Sequence, residues 1–237
     1  MLDKNFNPDK ELHQLLKIHI QDTDIIKCLN SFQRRTYTTK QFAYYEIYKL
    51  VKDLPGDIIE CGIFKGDSLL TLARLVETFS TGDRTKMIWG FDHFQGLINR
   101  NEKDGYNESL SNWNPNTFKE TIFKLIDLFN KDTFFPKKPR IQLIDGDIKQ
   151  TAFEFVTNNP GVRISMLHLD MDLYEPTLAA LEAFYPLVVK GGVVILDEVC
   201  IKEWPGETSA LEDYFQDKIP QLQKFSWCSA PGGFFIK

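Results

Sequence analysis

Asp170 and Asp172 follow the apolar run ISMLHL, and the acidic pair Asp197-Glu198 follows a second apolar run, GGVVIL. Continuous apolar runs of this length have the character of buried strands. Carboxylates at the ends of such strands are costly to bury unless something pairs with them. A cation is the simplest partner. Helix capping, or pairing with Lys190 and Lys202, would be the ordinary structural use of the same acids.

A second group of residues lies upstream. In IIECGIFKGDS, the residues Glu60, Gly62 and Gly66 fall where a strand turns into a helix. Glycine there lets a ligand approach the backbone, and a helix N-terminus offers unpaired N–H groups. The GxxxG spacing is neither the GxGxxG of dinucleotide-binding folds nor the GxxxxGK[ST] of phosphate-binding loops. Taken alone, the loop is compatible with a plain structural turn. Asp92 ends the next strand, in WGFDHF, where an acid can accept hydrogen bonds from ribose hydroxyls. Asp147, in DGDI, ends the strand after that, with Ile148 placed to cover an adenine. Acids at three successive strand ends favour a nucleoside ligand without negative charge. A sulfonium carrying an ammonium group fits, and S-adenosylmethionine is that molecule.

The elements that must position these residues are legible as an alternation. Helical spacing covers about residues 8–54 and stops at Pro55-Gly56. Strands are expected in DIIECG, KMIWGFDHF, RIQLIDGDI, RISMLHLDMD and GGVVILDEV. Helices are expected from Ser68 to about Phe79, in KQTAFEFVTNN, in EPTLAALEAFYPLVV and in ETSALEDYFQDKI. Two terminal strands, KFSWCSA and GFFIK, close the chain. Strands alternating with helices argue for a parallel sheet covered on both faces. We expect an N-terminal helical extension over residues 1–54, acting as a lid or an oligomer interface, and one α/β domain over 55–237. The polar stretch FQGLINRNEKDGYNESLSNWNPN, at a carboxyl end of the sheet, is expected to be a mobile lid.

Composition narrows the function. The chain has 237 residues, 43% hydrophobic, with a formal net charge of -5 and no block of Lys or Arg. It can bury a large core, and nucleic acid is not the expected partner. There is no signal-peptide pattern and no apolar run long enough to span a membrane. Cys28, Cys61, Cys200 and Cys228 show no CxxC spacing and are expected to be reduced. A cytoplasmic enzyme or binding protein is the expectation, with no membrane partner.

DLPGDIIECGIFKGDSL, FDHFQGL, LHLDMDLYEPTLAALEAFYPLVVKGGVVILDEV and WPGETSALEDYF together resemble the macrocin O-methyltransferase family over roughly Leu54 to Phe215. The resemblance implies a class I methyltransferase (Rossmann-like) α/β fold, with a seven-stranded, mostly parallel sheet whose last strand is antiparallel. It implies an enzyme dependent on S-adenosylmethionine and magnesium (Mg2+) that methylates a hydroxyl of a sugar or glycosylated small molecule. The implied magnesium ligands are Asp170, Asp197 and Glu198, and the implied general base is Asp172. The cofactor site would comprise Glu60, Gly62, Phe64, Ser68, Asp92, Asp147, Ile148 and Asp170. The chain departs from the family's usual pattern at Pro176, at Glu198 in place of a second Asp, and at His93.

His93, Tyr106, Trp113 and Trp204 are candidate acceptor contacts, because they fall in segments expected to flank the acceptor. His168 is read as a satisfied core histidine. A homodimer or higher homo-oligomer is expected. Methylation of a catechol-like phenol or an amine is the alternative activity, and a non-catalytic S-adenosylmethionine-binding protein is the alternative class.

Overall fold

The computed structural model describes residues 7–105 and 115–237. The chain begins with helix α1 (Pro8–Ile18), capped by the Asn7 side chain, which accepts from the N–H groups of Asp9 and Lys10. A 3-10 segment (Thr23–Phe32) leads into helix α2 (Arg35–Val51). The alternation then runs β1 (Asp57–Cys61), α3 (Asp67–Phe79), β2 (Ile88–Asp92), α4 (Lys119–Lys131), β3 (Ile141–Asp145), α5 (Ile148–Asn158), β4 (Ile164–Leu169), α6 (Tyr174–Phe184), β5 (Val188–Leu196), α7 (Pro205–Phe215) and β6 (Gly233–Ile236). The strands lie in the order β3-β2-β1-β4-β5-β6, all parallel except β6, which pairs antiparallel with β5.

Among the described residues the sheet has six strands, where seven were expected. The expected strand KFSWCSA is reduced to one antiparallel bridge at its threshold, Gln223 to Phe234. The chain turns immediately afterwards, with the Cys228 N–H donating to the Phe225 carbonyl, so no ladder propagates. One helix, α4, falls outside the sequence expectation. Its signal was present as Ile122, Ile126 and Phe129, spaced to fall on one helical face; the two isoleucines are buried.

Period-two alternation divides the core between the two faces of the sheet. Ile58, Met166, Val193, Ile195 and Phe234 pack on one side with Tyr44, Ile47, Tyr48 and Val51 of α2 and with α3. Ile59, Cys61, Leu167, Leu169, Val194, Leu196 and Phe235 pack on the other with α5, α6 and α7. The same alternation decides where the chemistry lies. Glu60 is two residues after Ile58, His168 two after Met166, and Asp197 two after Ile195. All three therefore fall on the side that α2 covers.

A buried network ties α3 to the outer strand. Glu77 accepts from Arg140 Nε at 3.1 Å, Arg84 Nη1 at 3.0 Å and the Phe134 N–H at 3.1 Å. Burial alone would raise the Glu77 carboxyl, but the Phe134 amide and the Arg140 and Arg84 guanidinium groups outweigh it and hold it below its ordinary value of 4.5. A depressed folded-state value means stability that is fully present above about pH 4.5 and is lost as pH falls from there through the lower folded-state value. Glu77→Gln should therefore cost about 1–3 kcal/mol at neutral pH and flatten the acid limb of the unfolding curve. Urea denaturation at about pH 7 and about pH 2.5 checks this, and equal losses at the two values would refute it.

Candidate active site

A cavity of about 660 Å³ opens at the carboxyl ends of the strands. Its wall includes Gly62, Phe64 and Ser68 of the first turn, Asp92 and His93 after β2, and Asp147 and Ile148 after β3. Asp170 and Asp172 after β4, Asp197 and Glu198 after β5, and Trp204 complete the expected set. Glu60 does not line it. That residue is fully buried beneath the floor, where it accepts from Ser68 Oγ at 2.5 Å and faces His168 Nδ1 at 3.6 Å. Tyr106 and Trp113 lie outside the described residues.

The glycine loop is shaped by its neighbours. Asp92 Oδ2 accepts from the N–H groups of Ile63 and Phe64 at 2.8 and 2.9 Å, and its Oδ1 accepts from the Phe94 N–H at 2.6 Å. Asp92 thus fixes the loop while lining the cavity. Asp147 caps α5 by accepting from the Lys149 N–H. His93 Nδ1 accepts from the Gln95 N–H at 3.0 Å. Of the polar stretch after β2, Gly96, Leu97, Ile98 and Asn99 line the cavity. Buried Asp104 anchors it, accepting from the N–H groups of Tyr174 and Asn101 at 2.6 Å each.

The acids after β4 and β5 meet because the two strands are in register, Leu169 opposite Leu196. The ladder continues past both ends: the Asp170 N–H donates to Cys61 and the Asp197 N–H to Leu169. β4 stops at Leu169, so Asp170 and Asp172 stand in the loop beyond it, and Asp172 adopts a left-handed φ of 61°. A cation already bridges the pair. Lys40 Nζ of α2 donates to Asp197 Oδ2 at 2.8 Å and to Asp170 Oδ2 at 3.3 Å. Behind it, His168 Nε2 lies 3.7 Å from Asp197 Oδ1 and 3.9 Å from Asp170 Oδ2, and the Tyr44 hydroxyl lies 3.4 Å from the same nitrogen.

The electrostatics are those of too many acids for their cations. Burial, and then the charge of Asp197, pushes the Asp170 carboxyl up to about 6. Burial, and then Asp170 and Asp197, pushes Asp172 up to about 7. Burial and the neighbouring acids hold Glu198 well above the ordinary range. Asp197 goes the other way: burial alone would raise it, but the Lys40 ammonium and His168 hold it low. For His168 burial favours the neutral ring, yet Asp197 and Glu60 push it up to about 10. Among the described residues, Asp197 Oδ1 and Glu198 Oε2 are buried without a hydrogen-bond partner. Unpartnered carboxylate oxygens beside raised carboxyls fit a hard cation with oxygen ligands. His168, Asp170 and Asp197 also place ligand atoms within 4.8 Å of one another.

Sequence reasoning passed over three members of this site. Lys40 begins the buried stripe of α2 that continues through Tyr44, Ile47, Tyr48 and Val51, and a lysine on that stripe was the available signal. Tyr44 follows one turn later on the same face. Glu207 is fully buried on α7 beside Ala210 and Leu211. Its carboxylate accepts from the Glu198 N–H at 2.9 Å and the Met171 N–H at 3.4 Å, clamping the β4 and β5 loops together.

Residues 41–224 match the family model described as macrocin-O-methyltransferase (TylF). The chain belongs to that family. The mycinamicin III 3''-O-methyltransferase of Micromonospora griseorubida is 25% identical over 180 residues, covering 72% of this chain and 66% of that protein. The demethyldecarbamoylnovobiocin O-methyltransferase of Streptomyces niveus is 28% identical over 155 residues, covering 62% of this chain and 53% of that one. The matched stretches thus leave a third or more of those two proteins' own lengths unspanned. Among solved structures, the calicheamicin methyltransferase CalS11 superposes with a TM-score of 0.88 at 27% identity, covering 99% of this chain and 94% of that one. This TylF-family chain shares that methyltransferase's fold over 99% of its length. None of its described helices is long and apolar enough to cross a membrane.

Proposed function

We propose that this TylF-family protein is an S-adenosylmethionine-dependent O-methyltransferase acting on a hydroxyl of a sugar or glycosylated small molecule, with a divalent cation in the acidic cluster. The observation that carries the reading is the single cavity that joins the glycine loop and the ends of β2 and β3 to the carboxylates after β4 and β5. When bound, S-adenosylmethionine supplies an electrophilic methyl group, and a divalent cation lowers the pKa of an acceptor hydroxyl.

The chain's own residues divide the remaining work. Gly62, Phe64, Ser68, Asp92, Asp147 and Ile148 would seat the cofactor, with Glu60 fixed beneath them through Ser68. Asp170, Asp197 and Glu198 would hold the cation through their carboxylate oxygens. Asp172 takes the hydroxyl proton on its carboxylate, and a value near 7 suits a general base at neutral pH. Gln33, Thr36 and Tyr37, from the N-terminal extension, close the wall opposite the sheet. His93 and Trp204 line the same cavity and would contact the acceptor. Holding acceptor and methyl donor together in one cavity converts an encounter in solution into a local event.

The test is transfer of labelled methyl from S-adenosylmethionine to a panel of sugar nucleotides, glycosides, catechols and amines, with and without EDTA. Transfer to a glycoside that EDTA abolishes is expected. Transfer confined to catechols or amines would overturn the acceptor class, and full transfer by metal-stripped protein would overturn the cation.

A further inference from the structure

The reading above gives Asp170 and Asp197 to a divalent cation, yet the structure gives the same two oxygens to Lys40. The ammonium bridges Asp197 Oδ2 and Asp170 Oδ2, one oxygen from each of the strand ends. A divalent ion held by these oxygens would sit about 2.0–2.6 Å from each. It could not share that position with an ammonium hydrogen-bonded to both, since two cations at such separation repel strongly. Lys40 is also able to leave. It lies one turn before the part of α2 that is locked in the core, where Ala43, Tyr44, Ile47, Tyr48 and Val51 are buried. Its side chain is 23% exposed at the cavity wall, and its flexible four-carbon stem can swing toward the opening without moving the helix.

We propose that Lys40 is a resident counter-cation of the acidic cluster, and that a divalent ion binds by displacing it from Asp170 and Asp197. In the ion-free protein it supplies the positive charge that keeps the two loops together. When the ion enters, the ammonium is released into the cavity from the α2 side. This proposal rests on the metal reading of the cluster and adds to it a competitor carried by the N-terminal helix.

The experiment measures Mn2+ binding by calorimetry and by the spin-resonance signal of free Mn2+, at fixed pH and without cofactor. Wild type is compared with Lys40→Met, Lys40→Arg and Asp170→Asn. Lys40→Met keeps the length of the side chain and removes its charge, so it should bind Mn2+ at least tenfold more tightly than wild type. Its ion-free melting temperature should fall, and saturating Mn2+ should raise that temperature by more than it does in wild type. Lys40→Arg keeps the competing charge and should bind no more tightly than wild type, which keeps the idea testable should Lys40→Met fold poorly. Unchanged or weaker Mn2+ affinity in Lys40→Met, with binding still abolished by Asp170→Asn, overturns the displacement alone. Binding that survives Asp170→Asn, or no binding in any protein, overturns the metal reading beneath it.

Discussion

Asp172→Asn is expected to lower turnover by roughly 10²- to 10⁴-fold, the usual contribution of a positioned general base. The variant should still bind S-adenosylmethionine and Mn2+. Two features of the structure separate this substitution from a merely disruptive one. Asp172 holds a left-handed φ of 61°, and asparagine tolerates that region about as well as aspartate does. The loop should therefore keep its course. The lost atom is the one that matters, because an amide oxygen cannot hold the proton that a carboxylate accepts. The pH dependence follows from the same residue. Burial, then Asp170 and Asp197, pushes its carboxyl up to about 7, so in the wild type the base is increasingly available as pH rises through that value. The rate should climb with pH and then level, on a limb at or below about pH 7, because the divalent ion that transfer requires adds a nearby positive charge that favours the carboxylate. Asp172→Asn should lack the limb altogether. If it instead fails to bind Mn2+, Asp172 is an ion ligand and the base and ligand roles of Asp172 and Asp170 have to be exchanged.

Much of this site is legible in the sequence, and the reasons differ from residue to residue. Asp170, Asp197 and Glu198 stood out because strand runs ending in acids break the rule that buried strands are apolar. The register of β4 and β5 then brings those ends together, as a parallel pair of adjacent strands must. Asp92 was legible as an acid at a strand end but not in its local work. Two of its three amide partners, Ile63 and Phe64, belong to the loop after β1, and the spacing of residues along the chain does not say which backbone groups a carboxylate will meet. The expected strand RISMLHLDMD carries both Asp170 and Asp172. The strand ends before both, and it is the turn that carries them into one cavity. Lys40 and Glu207 carried a signal in the sequence but not the identity of their partners. Each is a charged residue on the apolar stripe of a helix, and only the packing of α2 and α7 against the sheet shows which buried acids or amides it serves. The seventh strand failed on cooperativity, since one bridge at Gln223 does not extend once the chain turns at Phe225.

Gly62→Ala should be among the most damaging small substitutions in the chain, and the reason joins the two halves of the site. A Cβ on Gly62 would lie 1.8 Å from the Asp170 carbonyl oxygen and 2.6 Å from its carbonyl carbon. These are backbone atoms, so no side chain can swing aside. The backbone there also holds a φ of +87°, which an L side chain adopts only under strain. Relief requires the first turn to lift off the end of β4, breaking the Asp170 N–H bond to Cys61 or the Gly62 N–H bond to Phe91, both 2.9 Å. A clash with backbone, added to positive-φ strain, places the cost at roughly 3 kcal/mol or more. For a chain of this length that is a fall in melting temperature of roughly 6–12 °C. Gly82→Ala is the matched control, because a Cβ there meets nothing within 4 Å. The consequence for function is specific. Gly62 lines the proposed cofactor seat, and the peptide it presses against is that of Asp170, a proposed ion ligand. At a temperature where Gly62→Ala is still folded, its affinities for S-adenosylmethionine and for Mn2+ should both fall, whereas Asp170→Asn should lose only the second. Scanning calorimetry and the two binding isotherms decide it. A variant that melts with wild type, or that loses one ligand and keeps the other, would show that the glycine loop and the β4 acids are positioned independently.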